Sequence, residues 1–242
     1  MQKTGKLEVI CGSMFSGKSE ELMYRLRRAE YAKQKVLTVK HALDNRKSLI
    51  VSHAGICREA FSIGSSDESI VKLDGLVDES IDLVGIDEIQ FFSEDLIPLI
   101  HKWLDRGVRV IVAGLDLDFR GEPFGIVPTL LAIADEVVKL RAICTICANE
   151  ATFSQRLIDG SPARYDDETI LVGGEECYEP RCRSCFSIDK KPQLTFTRII
   201  ERATILTQKL IQETPTGKSL VKTKKSNSKQ KPAALPPSKK QK

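Results

Sequence analysis

Apolar runs alternate with segments of helical period along the first 140 residues. Leu7-Glu8-Val9-Ile10-Cys11 reads as a short buried strand running into a glycine-bounded loop. From Lys18 to about Lys33, Leu22, Leu26 and Ala29 recur at three- and four-residue spacing, which predicts a helix. Val36–Val39, Ile81–Ile86 and Val108–Ala113 predict further strands, and Val137–Leu140 an extended segment. Asp95–Arg106 and about Ile126–Ala134 predict helices. Strands this apolar, alternating with helices, predict an α/β fold whose parallel sheet is covered on both faces.

Beyond residue 143 the pattern breaks. Cys144 to Cys185 is made of short, polar pieces punctuated by cysteine, as in a small metal-held subdomain. After about Asp189 comes one predicted helix, Thr197–Gln212, and then a Lys/Ser/Pro-rich segment expected to be disordered. The predicted division is a core over 1–143, a metal-bound subdomain over 144–188 and an extension over 189–242. Charge follows this division. The net charge is +4, but residues 213–242 hold nine Lys and one Glu, leaving −4 on residues 1–212. A mildly acidic body argues against a nucleic-acid footprint on the fold itself. No run of about 18 apolar residues predicts a membrane span, and Met1–Lys6 carries no signal-peptide apolar region. The expected location is the cytoplasm, where seven cysteines point to metal or free thiols rather than disulfides.

The first predicted strand and helix are joined by Gly12-Ser13-Met14-Phe15-Ser16-Gly17-Lys18-Ser19, which fits G-x-x-x-x-G-K-[ST] in the context that motif requires. Its glycines let backbone N–H groups turn inward around phosphates, Lys18 reaches the β/γ-phosphates, and the Ser19 hydroxyl is placed for Mg²⁺. A later apolar strand ends in Asp87-Glu88. Asp87 suits the metal's shell, and Glu88 suits proton acceptance from a water or from a substrate hydroxyl. That choice, ATPase or kinase, is left open by the residues around Glu88.

Cys144-x-x-Cys147 and Cys182-x-x-Cys185 enclose 34 residues and form the ligand set of a tetrahedral Cys₄ zinc site. Four thiolates leave no open position, so the ion organises a loop and does no chemistry. Buried thiols or a redox pair are the alternatives. Within the loop, Thr169-Ile170-Leu171-Val172 followed by Gly173-Gly174 either lays backbone against a flat ligand or makes a surface hairpin. Cys11 and Cys57 read as packing residues, and His41, His53 and His101 as surface or loop histidines.

Together these residues resemble the type II thymidine kinase family over about residues 5–188. The resemblance rests on Gly12–Ser19, Asp44-Asn45-Arg46, Ile86-Asp87-Glu88-Ile89-Gln90-Phe91-Phe92, Gly114-Leu115-Asp116, Phe119, Pro123-Phe124-Gly125, both cysteine pairs, Val172-Gly173-Gly174 and Tyr178. It implies a P-loop NTPase core with a zinc-bound lasso. ATP would lie against Gly12–Ser19, Asp44, Asn45 and Arg46, and Asp87, Glu88, Ile89 and Gln90. Glu88 would be the base for the thymidine 5′-hydroxyl, and Phe119 would stack on thymine. The lasso, through Thr169, Ile170, Leu171, Val172, Gly173 and Tyr178, would close over the nucleoside. Met14, Phe124, Phe153 and Ser154 would be pocket neighbours. A homotetramer is implied as well. Cys185 stands where some members carry a histidine, a change that keeps tetrahedral binding intact.

Two readings of other classes remain. One is a nucleic-acid-stimulated P-loop ATPase with a zinc-ribbon module; the other is a non-catalytic scaffold that binds zinc and nucleotide. Room for a single P-loop core and an acidic body count against the first. Lys18, Ser19, Asp87 and Glu88, all present, count against the second. The tail yields a prediction of its own. Deleting residues 213–242 is expected to leave turnover and melting temperature unchanged, because too few apolar residues lie there to offset the entropy of ordering. A large drop in either would mean that the tail packs on the core.

Overall fold

One row of residues crosses the whole central sheet: Phe61, Val39, Ile86, Val112, Val9 and Val137 stand side by side in register. The computed structural model describes residues 4–43, 49–51, 55, 57–170 and 177–192. The sheet has six parallel strands, built from β1 (Lys6–Gly12), β2 (Val36–His41), β5 (Phe61–Ile63), β6 (Leu83–Asp87), β7 (Arg109–Gly114) and β8 (Glu136–Leu140), in the order β5-β2-β6-β7-β1-β8. A hairpin of β3 (Leu49–Val51) and β4 (Cys57–Glu59) lies between β2 and β5 in the chain. The four central members of the row are fully buried, while the edge residues Phe61 and Val137 are about half exposed. That gradient follows from position. Central strands of a parallel sheet are covered on both faces and edge strands are not.

The helices are α1 (Lys18–Tyr31), α2 (Asp67–Leu76), α3 (Leu96–Asp105) and α4 (Val127–Ile133). Leu22, Met23, Leu26 and Ala29 of α1 pack on Ile10, Leu83, Ile111 and Ala113. The opposite face takes α2, α3 and α4, with Leu73, Trp103 and Leu130 against Val9, Val84, Ile86 and Val110. The predicted strands and helices of the core lie within a residue or two of their observed bounds, as element ends usually do. Sequence reasoning passed over α2. Its signal was Ser66, whose Oγ accepts from the Ser69 N–H at 3.3 Å, followed by Asp67 and Glu68 in the first turn.

Residues Met1–Lys191 form one compact unit, and the second begins at Pro192. The predicted helix 197–212 and the Lys-rich tail fall outside the described residues. Among the described residues no helix is long and apolar enough to cross a membrane.

A single buried carboxylate ties the sheet's α1 face together. Glu8 of β1 is 1% exposed. It accepts from Arg109 Nε of β7 at 2.8 Å and Arg25 Nη1 of α1 at 2.6 Å, with Lys6 Nζ at 3.2 Å. Glu136 of β8 closes the network onto Arg25 and Lys6. Burial pushes the Glu8 carboxyl up, but hydrogen bonds from Arg109 and Arg25 outweigh it and hold it at about 2. Removing one partner of a buried ion pair strands the others, so Glu8→Gln is expected to cost on the order of 3 kcal/mol in denaturant unfolding. The folded value lies below the ordinary 4.5, so this contribution is complete above that pH and is lost as pH falls toward about 2. The gap between wild type and variant should therefore narrow below about pH 4.5, and a gap constant down to pH 2 would contradict the assignment.

Candidate active site

The loop after β1 is built by backbone conformations that glycine favours. Gly12 has φ 144°, and a Cβ there would stand 2.4 Å from the Leu140 carbonyl oxygen. Gly17, at φ 84°, caps α1. Ser16 Oγ and Lys18 Nζ both donate to the Ser13 carbonyl, at 2.8 and 2.7 Å, which draws the loop tight. Burial lowers the Lys18 ammonium, and the carboxylates of Glu88, Asp87 and Asp116 pull it back up.

The acidic pair meets this loop from β6. Ser19 Oγ donates to Asp87 Oδ2 at 2.9 Å, and the Glu88 N–H donates to Asp87 Oδ1 at 3.0 Å. Burial and the adjacent Glu88 carboxylate raise Asp87 to about 7, while Ser19, the Glu88 N–H and Lys18 oppose the rise. Glu88 itself has φ 55° and ψ 42°, a left-handed conformation that costs a non-glycine residue about 1–2 kcal/mol. It caps the short 3₁₀ turn Ile89–Phe91, and its Oε2 accepts from Gln90 Nε2 at 2.6 Å. Backbone strain of this kind concentrates where a side chain must point one way.

The cysteine region begins with a hairpin of β9 (Ala142–Ile143) and β10 (Glu150–Ala151). A three-stranded sheet follows, in which β11 (Phe153–Ile158) lies between β12 (Ser161–Pro162) and β13 (Tyr178–Arg181). One cysteine pair lies in the hairpin loop, and the other follows β13. The Sγ atoms of Cys144, Cys147, Cys182 and Cys185 all fall within 4.8 Å of one another. Zinc–sulfur bonds of about 2.3 Å in a tetrahedron put sulfurs about 3.8 Å apart, so the cluster fits the ion. The chemistry fits as well. Against burial, backbone N–H groups of Cys182, Ile146 and Cys147 hold the Cys144 thiol at about 6, and Cys182 is lowered too. The neighbouring Cys147 and Cys182 sulfurs push Cys185 up to about 12, the mutual repulsion of crowded thiolates that a cation relieves. All seven cysteines are free of disulfides.

Three consecutive polar residues of β11, all buried, join this region to the core. Ser154 Oγ accepts from the Met14 N–H at 2.9 Å, at the crest of the phosphate loop. Gln155 Oε1 accepts from the Ser187 N–H beyond the second cysteine pair. Arg156, 2% exposed, places its guanidinium carbon 3.6 Å from the centroid of the Phe119 ring and donates to the Glu168 carbonyl at 2.7 Å. Arg120 lies 4.6 Å from the same centroid and donates to the Tyr165 and Asp167 carbonyls and to Thr169 Oγ1. Two arginines thus bind the Phe119 loop to the start of the lasso.

The structure brings Gly12–Ser19, Asp87, Glu88 and Gln90 together at the sheet's carboxyl edge. It places Phe119, Thr169 and Tyr178 around Arg120 and Arg156, with Tyr178 opposite Arg156 in register. Phe119 is buried beneath guanidinium groups, Ile170 is 43% exposed, and Phe153 stacks on Phe186 at 4.5 Å. Phe15 packs against the cysteine cluster, and Ile89 is core. Asp44, Asn45 and Arg46, together with Leu171, Val172 and Gly173, lie outside the described residues. Sequence reasoning missed Arg120 and Arg156. The signal for Arg156 was a strand whose Ser154-Gln155-Arg156 run refuses the usual inside–outside alternation. Two minor expectations are corrected. Cys57 is exposed rather than packed, because it sits on the two-stranded hairpin. His41 is buried, accepting from the Leu43 N–H at Nδ1 and bonding Ser65 Oγ through Nε2.

A parallel sheet with a phosphate loop after its first strand and a carboxylate pair at the end of the next strand but one defines a P-loop nucleotide-binding core. A family model described as thymidine kinase matches residues 5–186. The thymidine kinase of Coprothermobacter proteolyticus is 58% identical over 180 residues, covering 74% of this chain and 88% of that one. The chain belongs to the thymidine kinase family. It is a kinase, and the family phosphorylates thymidine with ATP. Two solved structures are far more distant. A DNA replication initiation factor gives a TM-score of 0.38 at 16% identity, covering 56% of this chain and 40% of that one. The replication initiator DnaA bound to AMPPCP and single-stranded DNA gives 0.38 at 16%, covering 58% and 41%. Likeness at that level says nothing of function.

The cysteine cluster carries a prediction. Purified protein is expected to hold about one zinc per chain and to lose it on Cys144→Ser or Cys182→Ser. Thymidine affinity should then fall more than ATP affinity, because the clipped region carries the Phe119 contacts whereas the phosphate loop is held mainly by β1 and α1. Elemental analysis finding no zinc in active protein would remove the assignment.

Proposed function

We propose that this chain transfers the γ-phosphoryl group of ATP to the 5′-hydroxyl of thymidine, with Glu88 as general base. The observation that carries the reading is the join between Glu88 and the phosphate loop. The backbone that aims Glu88 also fixes Asp87, and Asp87 is hydrogen-bonded to Ser19. A proton acceptor therefore stands one residue from the group that faces the nucleotide. In the reaction the 5′-oxygen bonds to the γ-phosphorus, the bond from phosphorus to the β,γ-bridging oxygen breaks, and the hydroxyl proton passes to the Glu88 carboxylate. Lys18 turns from the Ser13 carbonyl to the β/γ-phosphates and offsets charge there.

Ser19 and Asp87 are the residues that would hold Mg²⁺, a hydroxyl and a carboxylate of the oxygen type that ion takes. When bound, the cation neutralises phosphate charge. Two adjacent carboxylates beside one lysine suit a cation, since burial and the Glu88 carboxylate otherwise oppose ionisation of Asp87. Phe119, Thr169, Ile170, Tyr178 and residues 171–173 are the proposed nucleoside contacts. Arg120 and Arg156 fix the first of these relative to one another. With the lasso closed, water is kept from the γ-phosphate and transfer to the sugar outcompetes hydrolysis. The resemblance further supports a homotetramer, and the cysteine usage a cytoplasmic location.

ATP turnover measured with thymidine, with single-stranded DNA and with neither separates this reading from a nucleic-acid-stimulated ATPase and from a non-catalytic scaffold. Glu88→Gln tests the mechanism more closely. The amide keeps the shape but cannot take the proton, so kcat is expected to fall about 10²–10⁴-fold with ATP affinity and melting temperature retained. Near-normal turnover at saturating substrates would show that Glu88 is not the base.

A further inference from the structure

Gln90 sits where the resemblance expects help with ATP, but its side chain is spent elsewhere. It is 2% exposed. Its Oε1 accepts from the Leu115 N–H at 3.0 Å, and its Nε2 donates to Glu88 Oε2 at 2.6 Å. The first bond settles the orientation of the amide: with the carbonyl end facing an N–H donor, only the NH₂ end is left to face the carboxylate. Two glycines close the space around it. A Cβ on Gly114 would lie 2.4 Å from Gln90 Oε1 and 2.6 Å from Ile89 Cγ2, and one on Gly125 would lie 2.2 Å from the Gln90 carbonyl oxygen. Buried and bonded at both ends, with the Gly114 backbone close against its oxygen, the amide is held in one orientation, and Gly125 packs on the backbone of the same residue. It also runs from the base on β6 to the loop after β7, the loop that carries Phe119.

We propose that Gln90 is the positioning residue of the phosphoryl transfer, an amide clamped between Leu115 and Glu88 that holds the base's carboxylate plane in the orientation the 5′-hydroxyl needs. The proposal rests on Glu88 being the base. A carboxylate free to turn about its last torsion presents the wrong lone pair part of the time. A donor fixed on Oε2 removes that freedom before substrate arrives, and the cost of misplacement appears in the chemical step rather than in binding. Because the same amide holds Leu115, the base and the Phe119 loop keep one fixed spacing.

The test uses the full chain with ATP, Mg²⁺ and thymidine. Gln90→Glu keeps an acceptor for the Leu115 N–H and replaces the donor with an oxygen that repels Glu88; Gln90→Met removes both bonds. Each is expected to lower kcat about 10–100-fold while both KM values stay within about threefold. The same changes are then made in a Glu88→Gln background and read by single-turnover assays at high enzyme concentration. A group that acts only through Glu88 costs nothing further once Glu88 cannot take the proton. Equal fold-losses in both backgrounds would show a general structural role and overturn the proposal, as would an unchanged kcat in Gln90→Glu with normal melting temperature. A rise in the ATP KM at constant kcat would place the amide on the nucleotide instead. Turnover retained by Glu88→Gln alone overturns the base itself, and this proposal with it. Loss in Glu88→Gln beside full activity in both Gln90 variants overturns only the positioning role.

Discussion

The candidate site depends on six strands running one way in strict register. Because Val9, Val112 and Ile86 occupy a single row, the three strands β1, β7 and β6 end within a residue or two of one another. Gly12, Gly114 and Asp87 are those ends. A parallel sheet puts all its carboxyl ends on one edge, and there the loops can meet over a ligand. A one-residue slip of β6 would send Asp87 to the other face and away from Ser19. Such a slip is blocked by the core: Val84 and Ile86 face α2, α3 and α4, Leu83 faces α1, and neither cluster has room for the exchange.

On the opposite side of the phosphate loop, the cysteine region is the support. β11 places three polar side chains in a row, and each satisfies a different partner: the loop crest, the second cysteine pair and the Phe119 platform. Buried polar groups are costly when unpaired, and Arg156 Nε already stands without a partner among the described residues, so loss of any of the three contacts would add to that cost. The cysteine cluster, whose second pair follows β13 where that strand pairs with β11, is therefore linked through Ser154 to Met14 of the phosphate loop as well as to Phe119.

Much of the core was legible because its signals are local. A phosphate loop is eight consecutive residues, Asp87-Glu88 ends an unbroken apolar run, and two C-x-x-C pairs spell out a four-thiol ligand set. Groups defined by distant neighbours were not legible in that way. Gln90 acquires its environment from Leu115, Gly114 and Gly125, which lie 24 to 35 positions along the chain and carry no pattern that points to it. Arg156 looks like an ordinary strand residue until Phe119 arrives beneath it. The helix α2 escaped because its opening Ser-Asp-Glu is polar and Gly75 interrupts its period, so the caps rather than the apolar face held the information.

The acidic pair shows how strain and charge divide the work. Asp87 ends a strand in ordinary extended backbone and is buried, with its ionisation opposed by burial and by its neighbour. Glu88 turns into the left-handed region at once, which separates the two side chains despite adjacency in sequence. Asp87 then faces Ser19 at the phosphate loop, and Glu88 faces Gln90. Had both residues stayed extended, alternation along the strand would have sent Glu88 to the face of Val84 and Ile86, toward α2, α3 and α4. A backbone cost of about 1–2 kcal/mol thus lets one strand end aim two adjacent carboxylates in different directions, one at Ser19 and one at Gln90.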